Sequence, residues 1–411
     1  MLLESGRNVA NLVVPPAGRL VAVGDPVQPY RVIDPEGREA EAVSDFLKDL
    51  RARDLSVETL RSYARALLRW QRFLWAVDHP WERASRTEVR DFVLWLQQAR
   101  KPARPRRPHA PRPGSVNVIT GKRYTGTGYA PRTINHNLTV VKEFYDFQAD
   151  AGRGPLVNLV PRPREADAAG RLHAHRNPME RYQRHRRAPY RQKEPKRIPR
   201  SIPDRLFDEL FARMPSDRDR AILAFYVSTG ARASELLGVT GEFVDIGQQL
   251  IGVHRKGTRE LQWLPASADA FVWLRLYQQA ARKDGVRFSS GKPLWVTRRR
   301  PFRPLNYAAF RAVLLRANKN LGTNWTLHDL RHTAAHRMID DPQLSLADVQ
   351  WVLGHAHITS TQIYLEPRQE DVVAKVLAHH AAARSPERPT PQPAPGYRPE
   401  VFDALFGGMP T

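Results

Sequence analysis

The chain reads as a mainly α-helical protein with one small β-hairpin, split into two globular parts by a basic, proline-broken stretch. Three observations predict this. Apolar residues recur at helical spacing within 38–152 and again within 201–380. Strand signals are confined to 249–254 and 260–264, which turn through Lys256-Gly257. The 411 residues suffice for two or three substantial cores, and the stretch between the periodic regions holds seven prolines.

The elements follow in order. Residues 1–37 are punctuated by Pro and Gly and carry no basic surplus, so they are expected as an N-terminal extension rather than a separate DNA-binding arm. Residues 38–152 form the first helical domain. Ser56 can cap a helix with Glu58 in its first turn, and Leu60, Tyr63, Ala64, Leu67, Leu68 and Leu74 recur on one side. Arg61, Arg65, Arg69 and Arg72 form a stripe on the other, readable as a solvated face or as a phosphate contact. A further helix is expected from Thr133 to about Ala149. Within this domain 101–130 is expected to be a loop. Lys101, Arg104, Arg106 and Arg107 begin a basic insertion that lacks any acid and is broken by five prolines. It reads as a solvated linker or as a segment that nucleic acid orders.

Residues 153–200 are expected as an interdomain linker, with twelve arginines and two lysines against four acids. In the second domain, 201–380, helices are expected at 203–213, 217–229, 232–239, 268–283, 305–318, 327–339 and 345–353. Thr326-x-x-Asp329 and Ser345-x-x-Asp348 read as capping boxes for the last two. Residues 381–411 are a Pro-rich tail ending in Val401, Phe402, Leu405 and Phe406, read either as disordered or as an element that docks on a neighbouring copy.

Composition limits the function. A net charge of +23 and a pI near 10.7 make a polyanion the expected partner. The absence of cysteine excludes disulfides, thiolate metal sites and cysteine nucleophiles. No signal peptide or bilayer-length apolar run is visible, so a cytoplasmic protein is expected.

The ordered residues Arg232, Lys256, His328, Arg331, His355 and Tyr364 carry the chemistry. Phosphodiester cleavage needs neutralised non-bridging oxygens, an activated nucleophile and an acid for the leaving oxygen. Arginine binds phosphate bidentately and stays protonated, which makes Arg232 and Arg331 the candidates. His328 and Arg331 lie three apart on an expected helix and share a face. Arg232 could equally pair with Glu235 across one turn. Each residue alone has a plainer reading: a packed tyrosine, a hairpin-tip lysine, a histidine at a helix end. No Gly-rich phosphate loop and no carboxylate cluster accompany them, so no cofactor and no metal are expected. His173/His175 and His379/His380 lack a third ligand and read as ordinary polar residues.

Taken together these segments resemble the tyrosine recombinases of the phage-integrase and Xer type. "TGARASELLGV" is similar to that family's first arginine box, "RKGTRELQWLP" to its β-hairpin lysine box, "LHDLRHTAAHRMI" to its H-x-x-R box and "LGHAHITSTQIYLEP" to its closing box. The resemblance is strong over about 200–380 and looser over 40–150, where it implies a SAM-like core-binding domain. Ala231 departs from the large aliphatic residue usual before the first arginine. The resemblance implies that Tyr364 attacks the scissile phosphate to give a 3′-phosphotyrosine. Arg232 and Arg331 would hold the non-bridging oxygens, with His328 and His355 as base or phosphate ligands. Lys256 would protonate the leaving 5′-oxygen, and Glu235 would orient Arg232. It further implies a C-shaped clamp on double-stranded DNA, a homotetramer on paired sites, accessory DNA-bending or directionality proteins and a nucleoid-associated bacterial location. The long linker and insertion point to a mobile-element enzyme. Two alternatives stay open: a type IB topoisomerase-like enzyme and a DNA-binding regulator that does not cleave.

Overall fold

The computed structural model describes residues 7–102, 110–161, 188–195, 199–355, 359–364 and 376–378. The chain divides into two compact units, 1–196 and 197–411. Among the described residues both are mostly helical, and each carries one small antiparallel sheet.

The first unit is built on helices α1 (Glu41–Ala52), α2 (Val57–Ala76), α3 (Arg86–Gln98) and α4 (Pro131–Asp150). Ser56 caps α2 by accepting from Thr59 N–H at 3.2 Å. Ser85 and Glu88 form a reciprocal capping box on α3, which satisfies amide donors the helix start would leave unpaired. Their apolar faces meet in a core that includes Trp70, Phe73, Phe92, Phe144 and Tyr145. Trp70 is fully enclosed because its indole N–H has an acceptor: it donates to the Tyr145 hydroxyl, which donates to Trp81 C=O.

Several segments expected to lie outside this core belong to it. Strands β1 (Arg19–Ala22) and β2 (Tyr30–Ile33) pair antiparallel within the expected extension, and Val32 is buried among the helices. Arg72, on the stripe readable as a solvated face or a phosphate contact, instead donates to the carbonyls of Ala17 and Gly18 and fastens this hairpin to α2. The expected linker is anchored at both described ends: Leu159 and Val160 enter the core, and Asn135 on α4 donates to Gln192 C=O and Glu194. Within the expected loop, residues 115–124 form a tight hairpin bridged at Val116 and Arg123.

The second unit contains α5 (Asp204–Ala212), α6 (Asp217–Thr229), α7 (Ala233–Leu237), α8 (Ala268–Lys283), α9 (Tyr307–Leu321), α10 (Leu327–Ile339), α11 (Leu346–Leu353) and a single turn, α12 (Thr359–Gln362). Strands β3 (Val244–Asp245), β4 (Leu250–His254) and β5 (Leu261–Pro265) form an antiparallel sheet in that order, with Ile251 opposite Leu264 and His254 opposite Leu261. α6 is buried on nearly every side, Arg218 and Asp219 included, and packs against α8, α10 and the Trp295 loop. Its placement matters because its last turn delivers Gly230 and Arg232.

Gly230 closes α6 with φ +61°, a left-handed cap that disfavours a β-carbon. A Cβ there would also lie 2.7 Å from Leu353 Cδ2 at the end of α11. Gly230→Ala is therefore expected to destabilise the protein by about 2 kcal/mol or more, from backbone strain plus displacement of α11. Urea unfolding of the two proteins measures it.

Candidate active site

The second unit gathers the chemical residues at the C-terminal ends of α6 and α11, the start of α10 and the β4–β5 turn. A single buried carboxylate organises one half. Glu235 lies in the first turn of α7 and accepts from Arg232 N–H at 2.9 Å and from the Arg232 guanidinium at 2.8 Å. It also accepts from the Arg255 guanidinium at 3.1 Å and from Lys256 N–H at 3.0 Å. Burial would raise its pKa, but these donors win and hold it below the ordinary carboxylate value. Glu235 thus ties the first arginine box to the β-turn bearing Lys256, whose side chain is exposed.

Arg255 was not singled out in the sequence. It is buried, and besides Glu235 it donates to the Gln262 side chain and to Val352 C=O near the end of α11. Gly354 caps α11 with φ +61° and leaves no room for a side chain, since a Cβ would meet the Arg255 guanidinium at 2.8 Å. Arg255 therefore works as a strut between the sheet and the closing box.

Arg331 organises the other half. It is buried in α10 and donates to Gly230 C=O and Leu353 C=O, both at 2.7 Å. These are main-chain acceptors at the ends of α6 and α11, which no helix bond can use. Burial, and then the nearby Arg232 charge, pull its pKa down to about 10. A guanidinium carries five N–H donors, so these two bonds do not exhaust it.

Tyr364 packs against Ala335, Val349 and Leu353 and is only 5 % exposed. Burial pushes its pKa up, while Arg331 and Arg232 pull against that rise. Its hydroxyl lies 2.8 Å from His332 Nδ1. When the neutral ring carries its proton on Nε2, the phenol donates to Nδ1. Neither His328 nor His355, the histidines expected to act on this residue, occupies that position. His328 is exposed one turn earlier on α10, its ring centroid 4.2 Å from that of His332. His355 pairs through Nδ1 with the Thr361 hydroxyl at 2.8 Å and lies parallel to the Tyr364 ring at 6.4 Å. Sequence reasoning missed His332, although a signal was present: His328, His332 and His336 recur every four residues on one helical face.

On the first unit, Arg65 is exposed, while Arg61 is partly exposed and pairs loosely with Glu58 at 3.8 Å. Arg69 and Lys101 both approach the Tyr129 ring, at 5.6 and 5.9 Å. Arg104, Arg106, Arg107, the pairs His173/His175 and His379/His380, and the C-terminal docking residues lie outside the described residues.

This geometry fits the comparisons with known proteins. Residues 204–371 match the phage integrase family, and 43–107 match its N-terminal SAM-like domain. The tyrosine recombinase XerC of Azotobacter vinelandii is 30% identical over 268 residues, covering 62% of this chain and 77% of that protein. The chain belongs to the tyrosine recombinase, or phage integrase, family. XerC of Pseudomonas aeruginosa is 36% identical over 186 residues, covering 42% of this chain; the chain spans 56% of that relative's length. Two solved structures share the fold. A lambda integrase dimer bound to a COC′ core site has a TM-score of 0.52 at 16% identity, covering 80% of this chain and 95% of that one. The Tn1549 transposon integrase in complex with circular intermediate DNA has 0.52 at 15%, covering 82% and 98%.

Two outcomes follow. Glu235→Gln leaves the buried Arg255 without a counter-charge and is expected to cost about 3 kcal/mol or more in urea unfolding. Burial is the first cause holding both His332 and His355 down to about 4, helped by His328 at the former and by Arg331 at the latter. An unfolded chain takes up their protons near pH 6.5, whereas the folded site refuses them until about pH 4. Stability is therefore expected to fall as pH drops from 7 towards 4. His332→Asn should flatten that slope in melting temperatures recorded from pH 7.5 to 5.

Proposed function

We propose that this chain performs site-specific recombination of double-stranded DNA, cutting and rejoining strands through a 3′-phosphotyrosine. The observation that supports it most is the joining of Arg232, Lys256, Arg331, His355 and Tyr364 within one unit, through Glu235 and the ends of α6 and α11. A phosphate entering beside Arg232 and Arg331 meets two guanidinium groups fixed beforehand, so neutralising it needs little rearrangement. Tyr364 Oη forms the new bond to phosphorus while the bond to the 5′-oxygen breaks. The phenol proton passes to a histidine, and His332, already in contact, is the assigned acceptor. His328 and His355 serve the phosphate. The exposed Lys256 ammonium, on a turn pinned by Glu235, supplies the proton to the leaving 5′-oxygen. The phosphotyrosine keeps the bond energy, so attack by a 5′-hydroxyl rejoins the strand without a nucleotide.

In this reading Arg65 and Lys101 track the phosphate backbone from the first unit. Four copies act on two sites, with accessory DNA-bending proteins, on chromosomal or mobile-element DNA in the cytoplasm.

The test uses a nicked duplex carrying the DNA that flanks the coding gene. The wild-type chain should leave a denaturant-resistant protein–DNA adduct, and Tyr364→Phe none. Arg331→Ala should slow adduct formation by about 10²-fold or more. Failure of the wild-type chain to form any adduct on that duplex would sink the proposal.

A further inference from the structure

The hairpin at residues 115–124 is built inside out. Asn117 and Thr120 are 6 % and 7 % exposed, whereas Val118 is 96 % and Ile119 47 % exposed. The polar pair makes the turn. Asn117 Oδ1 accepts from Ile119 N–H at 3.0 Å and Thr120 N–H at 2.9 Å, and Asn117 C=O accepts from Gly121 N–H at 2.8 Å. Asn117 Nδ2 also donates to the Tyr124 hydroxyl at 2.8 Å. Below the tip, Asn117 N–H donates to Lys122 C=O and Tyr124 N–H to Ser115 C=O. With Val116, 49 % exposed, Val118 and Ile119 make a small apolar patch on a fixed turn, and covering such a patch with a ligand is favourable.

Charge selects the ligand. Residues 101–130 contain seven lysines and arginines and no acid; Arg123 is exposed opposite Val116, and Arg112 is exposed just before the hairpin. A second copy would present the same positive charge. The base of the insertion is bridged at Arg100 and Gly128, and Lys101 shares the Tyr129 ring with Arg69 of α2. The base of the insertion therefore lies beside α2 at Arg69, one helical turn from Arg65. A two-stranded ribbon fits the major groove, where thymine is the one base that displays a methyl group.

We infer that the 115–124 hairpin enters the major groove of duplex DNA, with Arg112 and Arg123 at phosphates and Val118 and Ile119 against thymine methyl groups. This rests on the DNA-binding reading above. It assigns base reading to a segment outside the cleavage site and predicts a preference for T-bearing steps.

The absence of native cysteine makes the test clean. Val118→Cys is labelled with an environment-sensitive fluorophore and titrated with a long alternating d(A-T) duplex, while anisotropy of the labelled duplex reports binding. The emission should shift to the blue as the duplex binds. The second measurement compares the same duplex with its d(A-U) analogue, which lacks the methyls. The wild-type chain should lose about fourfold in affinity per methyl contact. The V118S/I119S double variant, whose exposed changes should leave the melting temperature unaltered, should not discriminate. Binding without an emission shift, or equal affinity of the wild-type chain for both duplexes, overturns the inference and leaves the DNA-binding reading intact. An emission shift driven by protein concentration alone overturns it in favour of self-association. No anisotropy change on either duplex overturns the inference, while the adduct test on the flanking DNA decides the reading it rests on.

Discussion

The Glu235 carboxylate is the interaction on which the rest of the second unit depends. It is a buried anion, and burying a charge is unfavourable unless donors surround it. Here the donors come from the helix start that carries Arg232, from the Arg255 side chain and from the backbone of Lys256. The requirement to satisfy one carboxylate thus fixes the relation of an α-helix to a β-turn. Arg255 extends the constraint to α11, and through it to the closing box. A site assembled from residues more than a hundred positions apart is held by groups that each answer a local electrostatic demand.

Much of this was legible in the sequence. The helices of the second unit follow from periodicity and, for the last two long ones, from capping residues, because Thr326 and Ser345 each accept from the backbone where their helix begins. The β4–β5 hairpin followed from its Lys-Gly turn. The first unit was less legible. β1 and β2 lie in a Pro- and Gly-punctuated segment whose strands are only four residues long, and they are held by a tertiary contact from Arg72 that no local pattern announces. Arg72 also shows why a stripe of like charges misleads. Spacing puts a residue on a face, but only the fold decides whether a carbonyl is waiting there.

The site shows the same division. The order of Arg232, Lys256, His328, Arg331, His355 and Tyr364 was readable because motif chemistry is written in residue types. Their partners were not. That His332 rather than His328 meets Tyr364 depends on which turn of α10 faces that tyrosine, a matter of helix rotation and packing around Ala335 and Leu353. Arg255 was hidden for a similar reason. Beside Lys256 it reads as one more basic residue in a turn, and its burial appears only when α11 packs over the sheet.

The seat of Arg331 has an evolutionary consequence. Its acceptors are the main-chain oxygens of Gly230 and Leu353, so no side-chain substitution at either position removes them outright. Residues along α6 and α11 can change only where the packing that brings the two helix ends together is kept. What such drift must spare is small: a tight left-handed turn after α6, and enough apolar bulk to bring the helix ends together. A protein whose buried arginine is seated on main-chain oxygens can change many of its letters and keep the geometry of that seat.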